Sequence, residues 1–481
     1  MKRAAFALCL ALLVQASVVA QAAFDFETER QKVLELLADE HTDIGREFAK
    51  ATIYSDARFH FGRAVVLVRE FDKAMKAQGY EKKDGRWVLN AKDALPQKDG
   101  LSGDKLTAER ERLGKKREAA YKRLADKIRA AARRARDAQA DEDALALESF
   151  LNYYTPDDAE ARKARGHVKI GEEWGPSFAK TARETGARHL QEAGEGEKVA
   201  EEDPQGKVIG ARLWVRKGTH TVARAVESDE RAARLHRVLE GIILLSRDTL
   251  KIEGPVFNGR QFTGTVVQRQ EHYLAMVEKL SGKTGSDLEL ARKLAGSSQK
   301  DPWGFFCRES GWPSGDDMLG NTVAINVLYS CRGGGSEPWI NTGFSYLMTG
   351  RLLGTTNTVR YTVKEEGQTA VGGGAEEPDL KKKSEGPQKL RALALFQAQT
   401  RTDASLRSLA VLDLNSLNME HAAKAFSFFE FLFEKHPDKA RQWLKLRPGQ
   451  KVAEIANLEK ALGLGVDELD NQWRRWVLTT Y

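Results

Sequence analysis

From Asp104 to Tyr153 the chain holds a long run of charged residues broken only by a thin apolar stripe, a pattern that leaves little choice but a helix laid against other helices. Leu113, Ala120, Leu124, Ile128 and Ala135 recur at helical spacing. Lys115, Lys116, Arg117, Lys122, Arg123, Lys127, Arg129, Arg133, Arg134 and Arg136 cover the remaining surface. The same helical period runs from Phe24 to about Ala77, with Val33, Leu36 and Leu37 on one face and Val65, Val66, Val68 and Phe71 further on. The first part of the chain therefore reads as a helical domain. Its basic helix has two readings: the solvated face of a helical hairpin, or a binder of anionic cell-envelope polymer or lipid headgroups. Apart from Tyr121 it lacks interleaved aromatic residues for base stacking, so nucleic acid is not expected as a partner.

The N-terminus sets the compartment. Lys2 and Arg3 precede an apolar run from Ala4 to Val14, and Ala20-Gln21-Ala22 supplies small residues for a signal peptidase. Residues 1–22 are read as a signal peptide, which predicts a periplasmic or extracellular protein with no transmembrane segment after cleavage. Removal of Lys2 and Arg3 lowers the formal charge from +7 to +5, too mild an excess to imply nucleic acid by itself. Cys9 leaves with the signal. Cys307 and Cys331 remain and form a candidate disulfide in an oxidising compartment.

Two segments echo each other: Gly79-Tyr80 through Trp87, and Gly166-His167 through Trp174. Each reads as a tryptophan-bearing turn that closes a helical unit. A Gly/Glu/Lys cluster from about Glu192 to Gly206 reads as a linker, so the helical domain is placed at residues 23–195. The remainder, 205–481, reads as an α+β domain. Val208–Val215, His220–Val226 and Thr263–Val267 have strand character, and Asp229–Leu245 and Glu271–Leu280 helical character. Residues 364–389 read as a mobile insertion. Beyond it the chain is helical, with Phe426 to Phe433 as a buried helix and Trp443, Trp473 and Trp476 closing the same core. The expected fold class is mainly α, with an α+β C-terminal domain.

Motifs for common chemistry fail one by one. Gly282-Lys283-Thr284 approaches a phosphate loop, but Val277 stands where the first glycine is needed. Gly333-Gly334-Gly335-Ser336 lacks the trailing glycine of a nucleophile elbow. None of the nine histidines has another three to five residues away, so no helical metal pair exists.

One constellation stands out. Leu319-Gly320-Asn321-Thr322-Val323-Ala324-Ile325-Asn326-Val327-Leu328 is followed by Pro338-Trp339-Ile340-Asn341-Thr342-Gly343-Phe344-Ser345-Tyr346. This pattern resembles the gluzincin-type zinc metallopeptidases of secreted bacterial proteins: an apolar helix with His-Glu-x-x-His, then Pro-x-Trp-Leu-x-Glu-Gly. The resemblance covers roughly residues 205–481 and implies an N-terminal helical region followed by a zincin-like domain. Its chemical residues are absent here. Asn321 and Ile325 take the two histidine positions, Thr322 the general base and Thr342 the third ligand. Zinc needs imidazole, thiolate or carboxylate donors, and water activation needs the metal and a carboxylate. The resemblance thus implies a pseudo-peptidase without cofactor, binding or scaffolding through a retained cleft that Pro338 and Trp339 would line. A peptide or a cell-envelope polymer is the expected kind of partner. The alternative is a hydrolase with a non-standard site built from Glu309, Asp316, Asp317 or Glu337 with His272 or His421.

Overall fold

The computed structural model describes residues 24–309, 314–356, 386–449 and 452–481. The segment expected to be a signal peptide, 1–22, and all but the last four residues of the expected insertion, 364–389, lie outside the described residues. The described chain is mostly helical and divides into two compact units, one ending at Arg165 and one running from Gly166 to Tyr481.

The first unit is built on α1 (Phe26–Lys50), α2 (Tyr54–Leu67) and α3 (Gly103–Asp137). Asp25 caps α1 by accepting from the Thr28 amide at 3.1 Å, and Glu27 and Glu29 complement the dipole of its first turn. Leu34, Leu37, Phe48, Phe61, Leu124 and Ile128 form the apolar core. Gly45 lets α1 and α2 close up, since a Cβ there would lie 2.7 Å from the Phe61 ring. The predicted long helix stops at Asp137, short of Tyr153. Gln139 takes a left-handed φ of 60° and turns the chain into α4 (Asp141–Glu148), which packs back on α3.

Inside this core, His41 and His60 face each other with their Nδ1 atoms 2.9 Å apart, and His41 Nε2 lies 3.1 Å from the Tyr154 hydroxyl. Of the two facing nitrogens one must donate and the other accept, so the pair is satisfied when both rings are neutral. Burial first, then the Arg117 and Arg63 charges, depress the His60 pKa to about 3. Burial, then His60, holds His41 well below the usual imidazole range.

Both tryptophan-bearing turns are β-hairpins. In the first unit, β1 (Tyr80–Lys83) pairs with β2 (Arg86–Leu89) across Asp84-Gly85. The second unit begins with β3 (His167–Ile170) and β4 (Glu173–Pro176), joined across Gly171-Glu172. Lys82 stands opposite Trp87 and Lys169 opposite Trp174 in the two ladders. The ammonium groups lie 5.6 and 4.8 Å from the respective ring centres.

The second unit holds a mixed six-stranded sheet in the order β5-β6-β7-β8-β10-β9. Its strands are β5 (Glu197–Lys198), β6 (Trp214–Lys217), β7 (Thr221–Ala225), β8 (Phe262–Val267), β9 (Gly296–Gln299) and β10 (Gly304–Arg308). β7, β8 and β10 run parallel, and the other pairings are antiparallel. β8 is buried along its whole length, as expected of a central parallel strand. Besides two short helices, Gly285–Lys293 and Leu406–Ala410, the helices of this unit are α5 (Ser177–Glu192), α6 (Pro204–Ile209), α7 (Asp229–Leu250) and α8 (Gln270–Ser281). They are followed by α9 (Gly315–Arg332), α10 (Pro338–Leu353), α11 (Pro387–Thr400) and α12 (Met419–Lys435). α13 (Pro437–Lys445), α14 (Val452–Leu462) and α15 (Val466–Thr480) complete it.

α7 crosses from β7 to β8 and lies directly on the sheet: a Cβ at Gly264 would come 2.6 Å from Leu239 Cδ1. The strand expected over Val208–Val215 begins only at Trp214. Its first part is α6, because Asp203 caps the Gln205 amide at 2.9 Å, Pro204 sets the first turn, and Gly210 ends it at φ 67°. At the far end of the unit, His167 Nε2 lies 2.8 Å from the Thr480 carbonyl, so the first strand touches the last helix.

Candidate functional site

The two helices predicted from the metallopeptidase-like pattern are present as α9 and α10, joined by a short loop and packed against each other. Asn321, Ile325 and Thr342 are buried, with 2%, 7% and 3% of their surface exposed. Asn321 and Ile325 are one helical turn apart and share a face. Thr322 returns its hydroxyl to the Met318 carbonyl at 2.8 Å, and Thr342 returns its own to Pro338 at 2.8 Å. These hydroxyls are consumed within their own helices. Two contacts mark the helix pair. Gly320 faces Thr349, whose Cγ2 would be 3.4 Å from a Cβ, and Asn341 Nδ2 donates to the Tyr329 hydroxyl at 2.8 Å. Asn321 adjoins the first contact and Thr342 the second. The contacts are nine residues apart on α9, roughly 13 Å along its axis.

Trp339 does not line a cleft. It is fully buried, stacked on Trp443 with centroids 5.9 Å apart and tilted against Phe428 at 6.1 Å. Its neighbour Pro338 is half-buried at the first turn of α10. An indole this large contributes more to the core than to a wet groove. Gly343 serves the same packing: a Cβ there would meet Phe429 Cδ2 at 2.5 Å and the Ala425 carbonyl at 2.7 Å, so glycine brings α10 onto α12.

The candidate disulfide is not formed; Cys307 and Cys331 are free thiols. Cys307 sits on β10 with its Sγ 4.0 Å from the carbonyl of Gly315, the first residue of α9, while Cys331 is at the other end of that helix. Sixteen residues of helix separate the two ends by about 24 Å, against the 7 Å limit for a bridge. Burial pushes the Cys307 thiol well above its ordinary range, so it is a core side chain without thiolate character.

Four of the six residues of the hydrolase alternative are separately engaged. Glu309 and Asp316 both bind Arg231, at 3.0 and 2.8 Å, and Asp316 also binds Arg234 at 2.8 Å. Asp317 accepts from Thr355 at 2.9 Å. His421 closes a capping box at the start of α12, its Nδ1 accepting from the Asn418 amide at 3.2 Å. His272 is buried on α8, and Glu337 precedes the first turn of α10. Among the described residues, no group of three His, Cys, Asp or Glu is placed to hold a metal ion. No described helix is long and apolar enough to cross a membrane. On the basic helix α3, Lys116, Arg123 and Arg134 pair with Glu47, Glu40 and Glu29 of α1 at 3.1, 3.2 and 2.6 Å. Part of its charge is thus spent on a neighbouring helix.

The feature that sequence reasoning missed lies where α5 meets α10. Gly186 permits a very close approach, since a Cβ there would lie 2.0 Å from the Arg351 carbonyl. Two cavities flank this contact, of about 330 and 410 Å³, and Arg351 lines both. Arg183 lines the smaller one and donates from Nη1 to the Arg351 carbonyl at 3.0 Å, capping the end of α10. Arg391, also on its wall, is already matched by Glu430 through two bonds of 3.0 and 2.6 Å. Burial depresses the pKa of both Arg183 and Arg351, and burial raises that of Glu173 on the same wall. The available signal was Arg351 itself, the one charged residue in an otherwise uncharged α10. Compared with family models and with curated proteins, the chain matches none.

Proposed function

We propose that the chain is an exported, non-catalytic binding protein whose second unit carries a metallopeptidase-like helix pair without its metal chemistry. The observation that carries this reading is the use of the former-site positions. Thr322 and Thr342 spend their hydroxyls on their own helices, and Ile325 is apolar and buried. A zinc site requires donors that converge on one point and an open position for water. Side chains bonded to their own backbone and packed between helices supply neither. The satisfied state of Glu309, Asp316 and His421 likewise supports binding over hydrolysis.

Elemental analysis of the mature protein, dialysed with zinc and then against buffer, tests the reading together with a casein-type protease assay with and without chelator. The expected result is no stoichiometric zinc and no chelator-sensitive cleavage. One tightly held zinc per chain overturns it. Export is tested by N-terminal sequencing, which should begin near Ala23; a folded form that retains Met1 refutes this part.

A further inference from the structure

Arg351 is half-buried and differs from the fully paired cations around it in how loosely its charge is matched. Arg332 has Glu454, Arg391 has Glu430, and Lys424 has Asp403 and Asp470, each within hydrogen-bond distance. Among the described residues the Arg351 guanidinium pairs only with Glu434, at 3.9 Å and so beyond a hydrogen bond, and its Nε is buried without a partner. Beside it, Arg183 spends one of five N–H donors on a backbone carbonyl and has no carboxylate partner among the described residues. Both residues are half-buried and keep unused N–H donors beside the cavity, an arrangement that suits an anion.

We propose that the cavity of about 330 Å³ between α5, α10, α11 and α12 binds a small organic carboxylate, held between Arg183 and Arg351. Planar guanidinium groups match a carboxylate in geometry and charge. Ile170, Leu347 and Phe426 line the same cavity and offer an apolar wall to the ligand's body. Its volume is at the small end of ligand pockets, which sets the size class. Arg391 and Glu430 pair with each other, and Arg183 and Arg351 outnumber the remaining acid on the wall, Glu173, which leaves a net positive charge for the ligand. The inference rests on the binding half of the proposed function. The zinc and protease measurements are independent of it, so either can fail alone.

The test uses the mature protein and three probes followed by ligand-observed NMR titration: phenylacetate, phenylacetamide and inorganic phosphate. Phenylacetate should saturate. The neutral amide should bind ten- to a hundredfold more weakly, the range expected for loss of a charge-assisted contact. R183M should weaken phenylacetate by a similar factor, and the exposed control R407M should not. Circular dichroism confirms that the variants are folded. Acid and amide binding alike, no saturation by phenylacetate, or R183M leaving its affinity unchanged would each overturn the proposal. Phosphate binding as tightly as phenylacetate would overturn the organic-ligand part.

Discussion

The buried histidine pair makes the first unit sensitive to mild acid, by an amount that follows from its geometry. His60 is 1% exposed, faces His41 across 2.9 Å and titrates near 3 in the folded state. The unfolded chain exposes an imidazole with a pKa of about 6.5. Between these values the unfolded state binds the extra proton, so stability rises with pH and is lost on acidification. From pH 7 to pH 5 the unfolded imidazole becomes almost fully charged while the folded one stays neutral. His60 alone then destabilises the fold by about 2 kcal/mol, and His41 acts in the same direction. Hydrogen exchange by mass spectrometry on the whole chain, resolved by peptide, measures opening of α1 and α2 at the two pH values. Protection there should fall by more than an order of magnitude beyond the intrinsic exchange correction. His60→Asn, which keeps a polar group near the Nδ1 position, should remove a large part of this dependence. Equal protection at pH 7 and pH 5, or an unaltered pH dependence in a variant lacking both histidines, would refute the reasoning.

Glu454 accepts from Arg332, the Trp443 indole and the Gly449 amide in a fully buried cluster, so E454A should cost about 3–5 kcal/mol in urea denaturation; a loss below 1 kcal/mol would show that Arg332 escapes to water. Gly186→Ala should lower stability by about 1–3 kcal/mol despite alanine's better helix propensity, because the Arg351 carbonyl blocks the new methyl group; a higher melting temperature would count against the close α5–α10 contact. Non-reducing mass spectrometry of alkylated protein should find both Cys307 and Cys331 unbridged, with Cys307 labelled only after unfolding; a linked peptide pair would contradict the helix geometry.

Periodic features were legible in the sequence. The strands around Val222 and Thr265, the helix from Asp229, and the packed Phe426–Phe433 segment all follow from patterns of period 2 or 3.6. Local signals were misjudged where a short cue outweighed the period: Asp203-Pro204 and Gly210 made a helix of a β-branched run, and Gln139 broke a helix that its composition would continue. Long-range facts were out of reach. Trp339 reads equally well as cleft wall or core until Trp443 is seen stacked on it. Cys307 and Cys331 look like a pair until the helix between them is measured. Arg351 stood in plain view, but its importance depends on what Glu430 and Glu434 do elsewhere in the chain.

The contact between His167 and the Thr480 carbonyl has a topological consequence. The second unit closes on itself, with its first strand and last helical turn within one hydrogen bond of each other. Such a unit is a natural subject for circular permutation. A few flexible residues joining Tyr481 to Gly166, with new ends opened in the exposed stretch at Glu253-Gly254, would leave every strand intact while placing β8 to β10 ahead of β5 to β7 in the chain. The β3–β4 hairpin would then become an internal bridge between the last helix and α5.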